Sequence, residues 1–417
     1  MRILYLNPDR GIPVLGDKGA SVHVREFVTA LARHGHEIVL LCANLGEGNA
    51  PPPGTLIEIP VETDVSALER ECLGWGLPLT ALDDQTTRRE LQRLAYDRSF
   101  CAHALAAFVK QGFRPDFIYE RHALFHSAGG TVARSLGIPR ILEVNAPLIR
   151  EQEQFRGLVL KDIATIAEIA SFREADCIIA VSDEIARFVG SCGIEAKKIL
   201  TVPNGVDTDF FNPNVGGAAI RQRYGIGNNP VIGFIGSFKP WHGIDFLIDG
   251  FIAMAHKHPD VHLLCVGEGP ELTRAKERIA LRGLDRRAFF TGRIPHADVP
   301  GHLAAMDISV APYLSQANFY FSPLKIVESL AVGTPVVAPR IGQIEMLVDD
   351  EETGLLFEPD DNNDFVEKAL SLIADEERRR LMSERARTRA NSDFSWEKAG
   401  GRVLGMAQHL TDAMLPT

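Results

Sequence analysis

The sequence predicts an α/β protein built of two doubly wound, Rossmann-like domains facing across a cleft. Three observations lead there. Short runs rich in β-branched residues alternate with stretches of helical period along the whole chain, and such alternation means parallel sheets with helices on both faces. One segment, PNGVDTDFFNPNVGGAAIRQRYGIGNNP from Pro203 to Pro230, is dense in Pro, Gly and Asn and separates two such series. Finally, 417 residues exceed what one hydrophobic core usually serves.

In the first series the expected strands run from Arg2 to Leu6, Glu37 to Cys42, Phe117 to Tyr119, Arg140 to Val144, Cys177 to Val181 and Ile199 to Val202. In the second they run from Val231 to Gly236, Val261 to Val266, Ala288 to Thr291, Ile308 to Ala311 and Pro335 to Ala338. The expected domains are therefore 1–203 and 204–395, with helices after Asp360 and Trp396 and with 396–417 packing back toward the first domain. In sheets of this kind ligands collect at the carboxyl ends of the strands, which makes the cleft the default active site.

Composition narrows the function. Charged residues make up 24% and apolar ones 45% of the chain, a soluble globular profile, and a net charge of −11 argues against wholesale binding to nucleic acid or an anionic membrane. The six cysteines form no CxxC pair, and Cys42, Cys177 and Cys265 sit in apolar runs, as buried thiols of a reducing compartment do. MRILYLNPDR enters a strand-like run directly, and no apolar stretch reaches the ~20 residues of a membrane span, so a cytoplasmic protein without a leader is expected.

The most informative segment is FSPLKIVESLAVGTPVVAPR, Phe321 to Arg340. Ser322 suits an N-cap and Pro323 the first helical position, so a helix should start there. The N–H groups of Leu324 and Lys325 would then point outward with the positive end of the helix dipole, which makes an anion site. Lys325 stands where a capping box places Glu or Gln, and a cation there opposes the dipole unless an anion satisfies both. Glu328, one turn on, is placed to accept hydrogen bonds from hydroxyls attached to that anion. An anion bearing hydroxyls describes a nucleotide sugar. The same two residues read equally as a surface ion pair.

Other strand-end loops carry chemistry as well. DRGIPVLGDKGASVHVREFVTALARHGHE holds Gly16 and Gly19 before an amphipathic helix, either to admit a ligand or simply to turn the chain. It contains no GxGxxG, and GEG at Gly267 to Gly269 lacks its third glycine, so a nicotinamide oxidoreductase ranks lowest. In GSFKPWHGIDF, Lys239 and His242 can meet a phosphate, or the loop is solvated and anchored by Trp241. IYERHALFHSAG places Glu120, Arg121 and His122 just past one strand end, and ILEVNAP places Glu143 and Asn145 past its neighbour, where an acceptor can bind. Asp207-Thr208-Asp209 has an Asp-x-Asp form, but its place in the interdomain link favours turn and cap roles over metal binding.

Taken in order, ALARHGHEIVLL, VPNGVDTDFF, VGEGPEL, FTGRIPHADVPGHLAAMDISVAPY, ESLAVGTPVVA, ETGLLFEP and FSWEKA span the chain, which resembles the retaining glycosyltransferases of family 4, of GT-B fold. The resemblance implies transfer of a sugar from a nucleotide-diphosphate sugar to a hydroxyl acceptor, whether glycan, lipid-linked sugar or small metabolite, with retained anomeric configuration. The second domain would hold the donor and the first the acceptor, with no cofactor, no obligatory metal and no covalent nucleophile. Glu328 matches the second glutamate of the Glu-x7-Glu motif, the ribose ligand, while the first falls on Tyr320, before SPLK. Ser237 and His242 stand where the family commonly has Arg and Lys on the diphosphate. Lys239 and Lys325, with the N–H groups of Leu324 and Lys325 and the cap at Ser322, are expected to share that role. Arg121, or His122 beside it, matches the histidine near the reacting centre, Gly19 the glycine of the first loop, and Arg293 the loop beside the nucleobase. A sugar-nucleotide epimerase or hydrolase, or a non-catalytic sugar-nucleotide-binding protein, are the alternatives on the same fold. Arg88, Arg89, Arg93 and Arg98 read either as a basic face for peripheral contact with the inner side of a membrane or as a solvated helix face.

Overall fold

The computed structural model describes residues 1–60, 64–315 and 319–414, without the side chains of 107–111. The chain forms two compact units, Met1–Pro203 with Ala399–Thr417, and Asn204–Lys398. The last helix, Trp396–Met414, thus begins in the second unit and continues in the first.

The first unit carries a seven-stranded parallel sheet of β1 (Arg2–Asn7), β2 (Glu37–Cys42), β3 (Thr55–Glu58), β4 (Phe117–Arg121), β5 (Arg140–Val144), β6 (Cys177–Ala180) and β7 (Ile199–Thr201), in the order β3-β2-β1-β4-β5-β6-β7. Its central strands are buried along nearly their whole length, as strands covered by helices on both faces must be. The second unit carries β8 (Val231–Ile235), β9 (His262–Val266), β10 (Ala288–Phe290), β11 (Ile308–Val310), β12 (Val336–Pro339) and β13 (Gly354–Phe357), all parallel, in the order β10-β9-β8-β11-β12-β13. In each sheet the strand order reverses once, at β1/β4 and at β8/β11. The loops leaving those two strands diverge and open a crevice at the carboxyl edge.

Three differences from the sequence expectations have physical causes. Strands β3 and β13 were not expected; both are four-residue strands at the edge of their sheet, and β13 is buried throughout, so it shows no alternation. The helix Glu376–Asp393 was also unexpected, because only Met382, Ala386 and Ala390 are buried on it and most of its turns face water. Ser322 is not an N-cap. The helix Leu324–Val332 starts after Pro323 with no side-chain cap, and Ser322 Oγ instead accepts from Asn204 N at 3.1 Å while its carbonyl accepts from Asn204 Nδ2 at 2.9 Å. The segment before the helix is thus tied to the start of the unit.

Arg88, Arg89, Arg93 and Arg98 all lie on the long helix Gln85–Gln111. Arg98 pairs with buried Glu71, Arg88 donates to the Leu82 carbonyl at 2.8 Å, and Arg93 is turned half inward. Among the described residues no helix is long and apolar enough to cross a membrane.

Candidate active site

At the β8/β11 reversal of the second unit sits an enclosed cation, the ammonium of Lys325, without a hydrogen-bond partner among the described residues. Lys325 lies in the first turn of Leu324–Val332. The ammonium stands 4.4 Å from the Phe234 ring centroid on β8 and 5.0 Å from that of Tyr313, in the loop after β11. Ring faces are a weak substitute for water around an ammonium. Burial therefore pushes the Lys325 pKa down to about 7, and the negative charge of Glu328, one turn on, only partly opposes the fall. Gly236 makes room for this approach: its φ is +148°, and a Cβ on it would lie 2.7 Å from Nζ.

The loop after β8 is laced to the next strand end by Gly236 N to the Val266 carbonyl at 3.0 Å and Phe238 N to the Glu268 carbonyl at 2.8 Å. It presents exposed Ser237, half-buried Lys239, whose Nζ lies 5.8 Å from the Trp241 ring centroid, and His242. His242 Nδ1–H donates to the Ser237 carbonyl at 2.5 Å, and its ring stands 5.5 Å from that of Tyr313. Burial, with Lys325 and Lys239 nearby, drives its pKa down to about 3, so the imidazole is neutral at pH 7. Positive charge in this crevice comes from the lysines and from the N-terminus of Leu324–Val332. Arg293 lies on the loop after β10, 3.9 Å from Glu268, and the Tyr320 ring packs tilted against Phe321 at 4.4 Å between centroids. An aromatic pair thus occupies the position of the motif's first glutamate. Asp207 Oδ1 accepts from the N–H groups of Asp209 and Phe210 at 3.0 and 3.1 Å, a turn and cap role.

In the first unit, β4 extends through Arg121, so Glu120 and Arg121 lie within the strand rather than past its end. Alternation sends them to opposite faces. Arg121 is in register with Glu143 on β5, and its Nη1 meets Glu143 Oε2 at 3.1 Å. His23, from the first helix Gly19–Arg33, meets Glu143 Oε1 at 2.8 Å, and all three side chains are buried. Burial works to raise the Glu143 pKa, but the charges and hydrogen bond of His23 and Arg121 win and hold it at about 2. Asn145 follows the same strand, half-buried. His122 goes elsewhere: its Nε2 lies 3.1 Å from Glu168 on the helix Lys161–Arg173, against the Phe172 ring. Gly19 opens the first helix, exposed, after a loop that Arg25 Nη1 holds by the Val14 and Gly16 carbonyls, at 2.6 Å each.

Glu120 has a partner other than an acceptor. Arg140, fully enclosed, donates to it at 2.5 Å and to the Ser171 carbonyl and Oγ at 2.8 Å each. Glu120→Gln is expected to cost about 3 kcal/mol in urea unfolding, since Arg140 keeps two of its three acceptors, with acceptor KM unchanged. A raised KM at unaltered stability would return Glu120 to the acceptor.

Sequence reading missed His23 and the Phe234–Tyr313 cage. His23 had one signal, a polar residue one turn before Phe27 on the apolar stripe of the first helix. The cage had none, because its two rings are 79 residues apart and only the sheet order brings them together.

Known proteins resemble this chain over most of its length. Residues 18–210 match the family model described as Glycosyltransferase Family 4, and residues 229–375 match Glycosyl transferases group 1. The chain is 32% identical over 235 residues to a GDP-mannose-dependent α-(1-6)-phosphatidylinositol monomannoside mannosyltransferase of Mycolicibacterium smegmatis, a stretch covering 55% of this chain and 61% of that protein's length. Among solved structures it resembles sucrose-phosphate synthase of Thermosynechococcus elongatus (TM-score 0.73, 21% identity, 99% of each chain). It also resembles Anabaena HepE in complex with UDP and glucose (TM-score 0.70, 19% identity, 98% of this chain and all of the other). These likenesses show the GT-B fold.

Proposed function

With glycosyltransferase domains in both parts of the chain, we propose that this protein moves a sugar from a nucleotide-diphosphate sugar to a hydroxyl acceptor with retention of anomeric configuration. The observation that carries the reading is the enclosed ammonium of Lys325, without a hydrogen-bond partner among the described residues, at the positive end of a helix in the β8/β11 crevice. A diphosphate there supplies the missing counter-charge, and negative charge develops on it as the glycosidic bond breaks. Stabilising that charge is the principal catalytic effect available to the site. Lys239 and the N–H groups of Leu324 and Lys325 share the phosphate, Ser237 and His242 border it, and Glu328 receives the ribose hydroxyls. Arg293 edges the base. Two lysines and a helix terminus supply the neutralisation for which other transferases use a metal ion, so the reading requires none. On the acceptor side Arg121, held by Glu143, is the better placed cationic group; His122 points into the packing of another helix. Retention follows if the leaving diphosphate assists deprotonation of an acceptor attacking from the same face, which leaves alignment and charge as the protein's contribution.

Thermal shift with UDP-, GDP- and ADP-sugars, with and without Mg2+, tests the donor half. A donor at 100 times its Kd is expected to add about 2.7 kcal/mol of stability without metal, and Glu328→Ala to lose most of that response. No response to any sugar nucleotide, or one that Glu328→Ala leaves unaltered, overturns the assignment.

A further inference from the structure

The loop between β11 and the helix Leu324–Val332 gathers rings beside the Lys325 ammonium. Tyr313, whose centroid is 5.0 Å from Nζ, lies nearly parallel to Phe321, with 6.3 Å between centroids and 18° between planes. Phe319 meets both edge-on, at 5.0 and 5.4 Å, and Tyr320 packs tilted against Phe321 at 4.4 Å. Tyr313 and Phe319 are buried and form the base of the group, while Tyr320 and Phe321 are half-buried.

Neighbouring segments hold this group in place. Ser315 N donates to Asp360 Oδ1 at 2.9 Å where the loop enters, and Asn204 Nδ2 donates to the Ser322 carbonyl at 2.9 Å where it leaves. Gly342, at φ +48°, passes so close to Phe319 that a Cβ on it would lie 2.6 Å from the Phe319 carbonyl oxygen. Rings pinned in this way form a surface that costs little further ordering when a ligand lands on it.

A sugar nucleotide carries its nucleoside at one end of the diphosphate and its sugar at the other. With the diphosphate on Lys325 and the ribose on Glu328, one turn into the helix, the sugar end is left for the segment that precedes the helix, where the rings stand. A carboxylate would accept hydrogen bonds from sugar hydroxyls. Ring faces do not, so a hydroxyl pressed against them loses water without gaining a partner, whereas C–H and methyl groups gain by the same contact.

We propose that the sugar to be transferred rests on Tyr320 and Phe321 and carries an apolar substituent, the methyl of a 6-deoxy sugar or of an N-acyl sugar. This rests on the donor-site reading given above and narrows it to a class of sugar, with Tyr320 as a specificity-determining residue.

The test is calorimetric titration of the whole chain with UDP, UDP-glucose and UDP-N-acetylglucosamine, and with GDP, GDP-mannose and GDP-rhamnose, the 6-deoxy counterpart of GDP-mannose. Within the set whose base is accepted, the N-acyl or 6-deoxy sugar nucleotide is expected to bind about 10- to 100-fold more tightly than the fully hydroxylated one, the range a methyl group commands in an apolar site. A preference in the UDP set assigns the N-acyl methyl, and one in the GDP set the 6-deoxy methyl. Tyr320→Ala is expected to lose about tenfold of the affinity for that sugar nucleotide while binding the plain nucleoside diphosphate as wild type does, which also shows that the variant is folded. Tyr320→Phe keeps the ring and should bind both as wild type does; Tyr320→Glu should turn the preference toward the hydroxylated sugar. Equal binding of the hydroxylated and the apolar sugar by wild type, an unaltered sugar preference in Tyr320→Ala, or an equal loss in Tyr320→Phe overturns the inference and leaves the donor site standing. If neither UDP nor GDP, nor any of their sugars, binds wild type, the donor-site reading falls and this inference falls with it.

Discussion

Lys325→Met is expected to lower kcat/KM by about 10²- to 10³-fold and, at the same time, to leave the unliganded protein no less stable than wild type. The two effects have one cause. Among the described residues the Lys325 ammonium has no hydrogen-bond partner and faces two rings, so folding without donor encloses a charge at a net cost. A thioether of similar length fills the same space without it. The pH dependence separates this from a general loss of structure. The folded pKa of Lys325, about 7, lies below the ordinary 10.5, so between those values the unfolded chain holds more protons. Wild-type stability therefore gains from this residue as pH rises from about 7 toward 10.5, and Lys325→Met lacks that gain. Chemical denaturation of both proteins at pH 6.5 and pH 9 reads the difference. Diphosphate binding restores a counter-charge and raises the pKa again, so donor binding at pH 8 is accompanied by proton uptake, measurable by calorimetry in buffers of different ionisation enthalpy. Donor binding without proton uptake in wild type would remove the diphosphate from Lys325.

The second large effect belongs to Glu143. Its carboxylate answers Arg121 and His23 together, and removing it with Glu143→Gln leaves both without their anion in a region closed to water. A loss of about 5 kcal/mol in urea unfolding at pH 7 is expected, the upper end for a broken buried pair. Because the folded pKa is held at about 2, below the ordinary 4.5, the stabilisation is present above pH 4.5 and is lost as pH falls toward 2. The gap between wild type and Glu143→Gln should therefore narrow across that window. Adding Arg121→Met removes one stranded cation and should recover part of the loss. Equal stabilities of wild type and Glu143→Gln at pH 7 would mean that solvent reaches the pair.

Much of the molecule was legible in the chain before any coordinates. Eleven expected strands lie where strands form, because each is a compact β-branched run between turn residues, and the Pro-, Gly- and Asn-rich link falls where one unit gives way to the next. Lys325 drew attention because a cation in the first turn of a helix is locally unfavourable, and that conflict between neighbours in sequence persists in the fold. The cap at Ser322 failed for the opposite reason: its oxygen went to Asn204, 118 residues away, a competitor that no local rule counts.

What the sequence determined unaided was the alternation of elements, the division of the chain and the residues whose local setting was uncomfortable, since propensity, turn chemistry and dipole effects act over a few residues. What tertiary structure alone decided was which of those residues meet. Strand order set Phe234 and Tyr313 around one ammonium, strand register set Arg121 opposite Glu143, and side alternation turned Glu120 away to Arg140. These are contacts between segments far apart in the chain, created when parallel strands pair and their helices pack. Their energies therefore depend on burial and on partners that exist only once the sheets have formed.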